Sequence, residues 1–159
     1  MQPRLSRRVM CVGGLLVALA AAAVRADVVE TRTLEESVPV TGGGEFRVVV
    51  ENVFGSIRVI SHDLPRVDMT AHETIRADSQ ADLERARAEG TLRTERGDQE
   101  VEFSVGGEER GCCRWDHWNH WDDYVVEYDI ELRVPPNVAL ELSTVNKGEI
   151  VVDGVHGDF

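Results

Sequence analysis

The sequence predicts an all-β domain in which antiparallel leading strands run into short solenoid rungs, with one short connecting helix. Three observations carry this. From Val126 to Val134 every even position is apolar and every odd one charged, the pattern of a strand with one buried face. The same period of two recurs at Phe46 to Val50, Ile57 to Val59, Val67 to Ala71, Val101 to Val105, Val138 to Leu142 and Ile150 to Val152. Turn-forming clusters separate these runs: Gly42-Gly43-Gly44, Asn52 to Gly55, Asp63-Leu64-Pro65, Gly97-Asp98, Pro135-Pro136-Asn137 and Asn146-Lys147-Gly148. Many short strands at such spacing form an all-β core.

The first element is an export signal over residues 1–26. Arg4, Arg7 and Arg8 precede an uncharged, mostly apolar stretch from Val9 to Val24, and Val24 and Ala26 supply the small residues of a cleavage site. Cleavage after Ala26 leaves residues 27–159 as one β-strand-repeat domain. Retention as a membrane anchor is the alternative, but a spanning helix wants about 20 strongly apolar residues, and this stretch holds Gly13-Gly14 and a run of alanines. Cys11 follows Val9 and Met10 where a lipoprotein signal has Leu and small residues, which argues against lipidation. No later segment is apolar for long enough to span a bilayer. The domain is therefore expected in the periplasm or at the cell surface, where disulfides form.

The 159 residues carry 17 Lys+Arg against 29 Asp+Glu. Four of the basic residues (Arg4, Arg7, Arg8, Arg25) and no acid lie in the signal, so the remainder has 13 basic residues and a net charge of −16. Such a surface repels nucleic acid and anionic lipid.

Among the strands, Ser79 to Gly90 has helical character. Ser79 and Asp82 form a capping box, Gly90 supplies a left-handed stop, and Leu83 and Ala86 are the inward face of what serves as a connector.

Two segments resemble each other. Asn52-Val53-Phe54-Gly55-Ser56-Ile57-Arg58-Val59 and Val145-Asn146-Lys147-Gly148-Glu149-Ile150-Val151-Val152 share a turn glycine followed two residues later by an inward Ile, and Val155-His156-Gly157-Asp158-Phe159 begins the pattern again. The signal, the Glu51-Asn52-Val53-Phe54-Gly55-Ser56-Ile57 opening strand and turn, the Val134-Pro135-Pro136 strand end and the run from Leu140 to Ile150 resemble the adhesin-like β-strand-repeat family of bacterial envelope proteins over roughly residues 28 to 159. The resemblance implies a parallel β-helix or β-roll built on a leading antiparallel region, a domain of unknown function, and no enzymatic activity. Members carry more rungs and lack an insertion such as Lys147 in the Asn-Gly turn. The resemblance therefore implies an incomplete set of C-terminal rungs, whose open edge invites self-association.

One segment is chemically distinct. All three tryptophans and two of the three cysteines fall in Cys112-Cys113-Arg114-Trp115-Asp116-His117-Trp118-Asn119-His120-Trp121-Asp122-Asp123, which is expected to be an extension joining two adjacent antiparallel strands. Cys112, Cys113, His117 and His120, with Asp116, Asp122 and Asp123 as oxygen donors, offer a Zn or Cu ligand set. Adjacent cysteines converge on one ion only with strain, and in an oxidising compartment Cys112-Cys113 equally suits a vicinal disulfide. Trp115, Trp118 and Trp121 form either an exposed aromatic binding surface or a lid folded over the sheet. His62, His72 and His156 are isolated and read as surface residues.

No nucleophile elbow, zincin helix, phosphate loop or dinucleotide fingerprint is present. Glu127, Asp129 and Glu131 alternate along one strand as a solvated face does. The sequence thus points to a non-enzymatic exported module, without a required cofactor, that binds an envelope protein or glycan or acts as a scaffold. The alternative is a periplasmic metal-binding or thiol-redox protein working through the Cys112–Asp123 loop.

Overall fold

The computed structural model describes residues 27–41, 45–106, 123–146 and 148–158. Among these residues the elements are β1 (Val28–Pro39), β2 (Phe46–Phe54), β3 (Ile57–Ser61), β4 (Arg66–Ala77), α1 (Gln80–Glu89), β5 (Leu92–Arg96), β6 (Glu100–Val105), β7 (Tyr124–Val134), β8 (Val138–Asn146) and β9 (Ile150–Asp153). The fold is all-β with one short helix, as the alternating patterns predict. Two open sheets, ordered β1-β4-β7-β3-β9 and β5-β6-β2-β8, face each other across the core.

That core is built from the inward positions of the alternation: Val48, Val50, Ile57, Val59, Met69, Phe103, Ile130, Leu132 and Val138 are among its buried members. Each such side chain contributes about 1.5–3 kcal/mol on leaving water. Strands β1 and β5 escape the sequence patterns for a shared reason. Both are edge strands whose inward positions include charged or polar groups, Glu30, Arg32 and Glu36 on β1 and Thr94 and Arg96 on β5. Inward charges protect a sheet edge from unwanted pairing, and they also erase its hydrophobic period.

The pairings around β2 and β3 are parallel, while β7 at the centre of the larger sheet pairs antiparallel with β4. β2 lies between β6 and β8, and β3 lies between β7 and β9, all in parallel register. Three chain segments, β6 to β7, β2 to β3 and β8 to β9, therefore cross from the smaller sheet to the larger in the same sense and stack on one another. Apolar ladders follow, such as Ile130–Ile57–Ile150 and Leu132–Val59–Val152. The internal repeat coincides with two of these segments, with Ile57 opposite Ile150. Phe54 pairs with Asn146 on the near side of the corner, so the pairing offset grows by one residue across it, as an insertion at Lys147 requires. After β9 the chain returns to β8: His156 N–H donates to the Pro136 carbonyl at 2.7 Å, and Leu140 N–H donates to the Asp158 carbonyl at 2.8 Å.

Two expectations need correction. The segment between β6 and β7 does not join adjacent antiparallel strands, because those strands belong to different sheets. Interleaving with β2 and β3 gives each of them a partner that is remote in sequence. Gly90 is likewise not a left-handed stop; its φ is −92°. A Cβ there would lie 2.7 Å from Val126 Cγ2, so the glycine serves close approach of the helix end to β7. The rest of the helix forms as predicted. Asp82 N–H donates to Ser79 Oγ at 3.2 Å, and Leu83 and Ala86 are buried with Ile75 and Ala77 in a second small cluster over β4 and β7.

Gly55, at the β2–β3 corner, has φ +104°, and a Cβ there would lie 2.1 Å from the Tyr128 carbonyl oxygen. Gly55→Ala is expected to destabilise the fold by about 2–4 kcal/mol through left-handed strain and overpacking. Gly97→Ala, where the nearest atom is 3.7 Å away, is expected to be neutral or slightly stabilising. Denaturant midpoints of the two variants check the contrast.

Candidate functional site

Cys112, Cys113, Trp115, His117, Trp118, His120 and Trp121 lie outside the described residues, as do Asp116 and Asp122. The two ends of their segment are described. On the entry side, Gly106 N–H donates to the Thr91 carbonyl at 3.3 Å, just past the C-terminus of α1. On the exit side, Asp78 N–H, just before the helix, donates to the Asp123 carbonyl at 2.8 Å. The ten-residue α1, about 15 Å long, thus lies between the two anchor points of the segment.

Side chains of α1 reinforce the exit root. Arg85 Nη2 contacts Asp82 Oδ1 at 2.5 Å and Asp123 Oδ2 at 3.1 Å, and its guanidinium lies 5.4 Å from the centroid of the Tyr124 ring. The Tyr124 hydroxyl donates to Glu89. Burial first, and then this hydrogen bond to a carboxylate, holds the Tyr124 hydroxyl well above the ordinary tyrosine range. The helix is therefore more than a connector, since its polar face fixes where β7 begins.

Sequence reasoning missed a second constellation. Arg32, Glu73 and Tyr128 occupy one inward row across β1, β4 and β7. Glu73 is 2% exposed, and Arg32 reaches both carboxylate oxygens, Nη2 to Oε1 at 2.8 Å and Nε to Oε2. The Tyr128 hydroxyl donates to Glu73 and lies 2.7 Å from the Gly90 carbonyl. Burial, then the adjoining Glu73 carboxylate, holds that hydroxyl well above its ordinary value. The sequence did carry a signal: Glu73 falls at an inward position in a run that is otherwise apolar, Val67, Met69, Ala71, Ile75 and Ala77. The row is closed off from solvent on the Glu73 side and every member has a partner. The row locks three elements together.

The same row continues into the corners. Tyr128 also receives Asn52 on its backbone, with Asn52 Nδ2 donating to the Tyr128 carbonyl at 2.8 Å and to the Gly55 carbonyl at 3.2 Å. Asn52 is itself buried. A Cβ on Gly148 would lie 2.2 Å from the Gly55 carbonyl oxygen, so successive corners stack glycine upon backbone.

The remaining candidates are surface groups with local partners. Glu127 pairs with Arg76 at 3.1 Å, and Glu131 pairs with Arg133 at 3.1 Å. Asp129 accepts from Ser56 N–H at 2.9 Å and from its hydroxyl at 2.6 Å. His72 and His156 are exposed. His62 is half-buried and braces the turn that connects β3 to β4, with Nδ1 accepting from Leu64 N–H at 3.3 Å and Nε2 at 3.0 Å from the Arg66 carbonyl. Among the described residues no group of three or more His, Cys, Asp or Glu is disposed to hold a metal ion, and no helix is long and apolar enough to cross a membrane. Compared with family models, curated proteins and solved structures, the chain finds no match in any of the three.

Two outcomes follow from the Arg32–Glu73–Tyr128 row. Arg32→Ala strands a buried carboxylate and is expected to cost about 3–5 kcal/mol. Glu73→Gln leaves an arginine that is 40% exposed and free to turn to water, and is expected to cost about 1–2 kcal/mol. Chemical denaturation of both variants tests the asymmetry. Tyr124 and Tyr128 are the chain's two tyrosines, and both folded-state values are raised above 10. Their contribution to stability is whole below pH 10 and declines as pH rises beyond it, because the unfolded chain then releases the protons first. Tyrosinate absorbance is expected to stay flat through pH 10 and to appear together with loss of the β-sheet circular dichroism.

Proposed function

We propose that the protein is an exported, non-enzymatic binding or scaffolding module of the bacterial cell envelope, a short β-solenoid whose contact surface is the segment 107–122. One observation carries this reading. Where β2 passes to β3 the chain uses two residues, and where β8 passes to β9 it uses three, but the equivalent passage from β6 to β7 takes eighteen. A regular stack with one enlarged corner is how repeat scaffolds present a binding element, because a loop can vary while the strands beneath it cannot. All three tryptophans lie within that enlarged corner, and tryptophan is a favoured anchor at binding surfaces. The leader-like residues 1–26 and the net acidity of the remainder support export and a partner other than nucleic acid.

The test is binding of the exported protein to purified envelope protein and glycan fractions, beside a Trp115→Ala/Trp118→Ala/Trp121→Ala variant. At least a tenfold loss of binding, with unchanged circular dichroism, is expected; equal binding by both proteins overturns the reading. The mass of the exported protein, measured before and after chelation, supplies the second arm. Loss of residues 1–26 with no bound metal agrees with the proposal. Stoichiometric Zn or Cu removed by the chelator would instead favour a metal protein acting through Cys112, Cys113, His117 and His120.

A further inference from the structure

The inward face of β1 runs Val28, Glu30, Arg32, Leu34, Glu36, Val38, with its three charged residues in the order minus, plus, minus. Each charge meets its complement on a different element of the body. Glu30 pairs with Arg87 of α1, with Arg87 Nε at 3.0 Å. Arg32 pairs with Glu73 of β4, and Glu36 accepts from both Thr94 and Arg96 of β5. The body thus presents plus, minus, plus along a groove bounded by α1 and β5 and floored by the edge of β4. Twelve consecutive β1 residues pair antiparallel with that edge, from Val28 opposite Ala77 to Pro39 opposite Arg66.

We propose that this groove is a strand-recognition site that accepts β1 from a second copy of the chain as well as its own, so that two copies associate by exchanging β1. Charge complementarity supplies the specificity. Each of these charge contacts joins residues at least 41 positions apart in sequence, so none depends on β1 belonging to the same chain. Only Val40 to Glu45 tethers β1 to β2, and this tether is short and contains Gly42-Gly43-Gly44. The same residues meet in both arrangements, so the two are nearly equal in contacts and concentration chooses between them. Removing Arg32 from buried Glu73 is unfavourable, so exchange is slow once the fold has formed and is set during folding. The opposite edges lack such a code: β8 and β9 expose Val145, Ile150 and Val152, which would pair without selecting a partner.

A cross-strand disulfide separates the two arrangements. Ser37 and Asp68 are register partners on the outer face, with Ser37 Oγ donating to Asp68 Oδ1 at 2.6 Å. In a background with Cys11, Cys112 and Cys113 changed to Ser, Ser37→Cys/Asp68→Cys would be refolded over a concentration series from micromolar to near millimolar and then oxidised. A disulfide-linked dimer rising at least tenfold across the series is expected. Intramolecular disulfide at every concentration overturns the proposal, including the case of a dimer without the cross-link, which would place association at β8 and β9. If the cysteine variant does not fold, the unaltered chain is co-refolded as a mixture of isotope-labelled and unlabelled copies. Mixed dimers in native mass spectrometry are then expected, lost in Glu36→Arg and regained when Glu36→Arg is combined with Arg96→Glu. Monomers alone, or mixed dimers indifferent to the charge reversal, overturn it.

Discussion

The fold depends on how Tyr128 is held at both ends. Its carbonyl receives Asn52 and lies against Gly55, which fixes the corner between β2 and β3. Its hydroxyl reaches Glu73 and the end of α1, which fixes how far the longer sheet extends past the shorter one. On one side of this row the two sheets sandwich the main core; on the other, β1, β4 and β7 run on beneath the helix and a second small cluster. A polar seam between two apolar cores sets their relative position more sharply than continuous packing would, because a misplaced hydrogen-bonding group inside a protein is costly whereas a misplaced methyl often is not.

Much of this was legible from residue order. The alternating runs located β2, β3, β4, β6, β7, β8 and β9, and the spacing of Gly55 and Ile57 against Gly148 and Ile150 anticipated the parallel stacking of two segments. Ser79 and Asp82 marked the start of the helix. What stayed hidden was the buried charge. Arg32 inside β1 and Glu73 inside β4 look, residue by residue, like departures from a strand pattern, and each is intelligible only when the other is known to lie beside it. Edge strands β1 and β5 were obscured for the same reason. Pairing between elements remote in sequence also explains why β6 and β7 were expected to be neighbours and are not.

The segment rich in Cys, Trp and His acquires a setting from its two roots. Backbone hydrogen bonds tie one root to Thr91, two residues after α1, and the other to Asp78, two residues before it, and Arg85 bridges the helix to Asp123. A helix with few apolar residues would be a weak element in isolation. Here its value lies in spacing: it is a strut between the end of β6 and the start of β7, so the segment leaves and rejoins the sheets on either side of one helix.

The one-residue change of pairing offset at the β8–β9 corner has a wider consequence. Within a strand, an inserted residue would turn every following side chain to the wrong face. At a corner the insertion is absorbed, because the next strand takes its register afresh from its own neighbour. This architecture therefore counts residues in its strands and not at its corners, and it can lengthen by whole loops without disturbing the core. The limit is set where Gly55 of the β2–β3 corner and Gly148 of the β8–β9 corner stack on backbone and leave no room for a Cβ. An engineer wishing to graft a recognition loop onto this scaffold would choose the β6–β7 corner, which already takes eighteen residues where the other two take two and three.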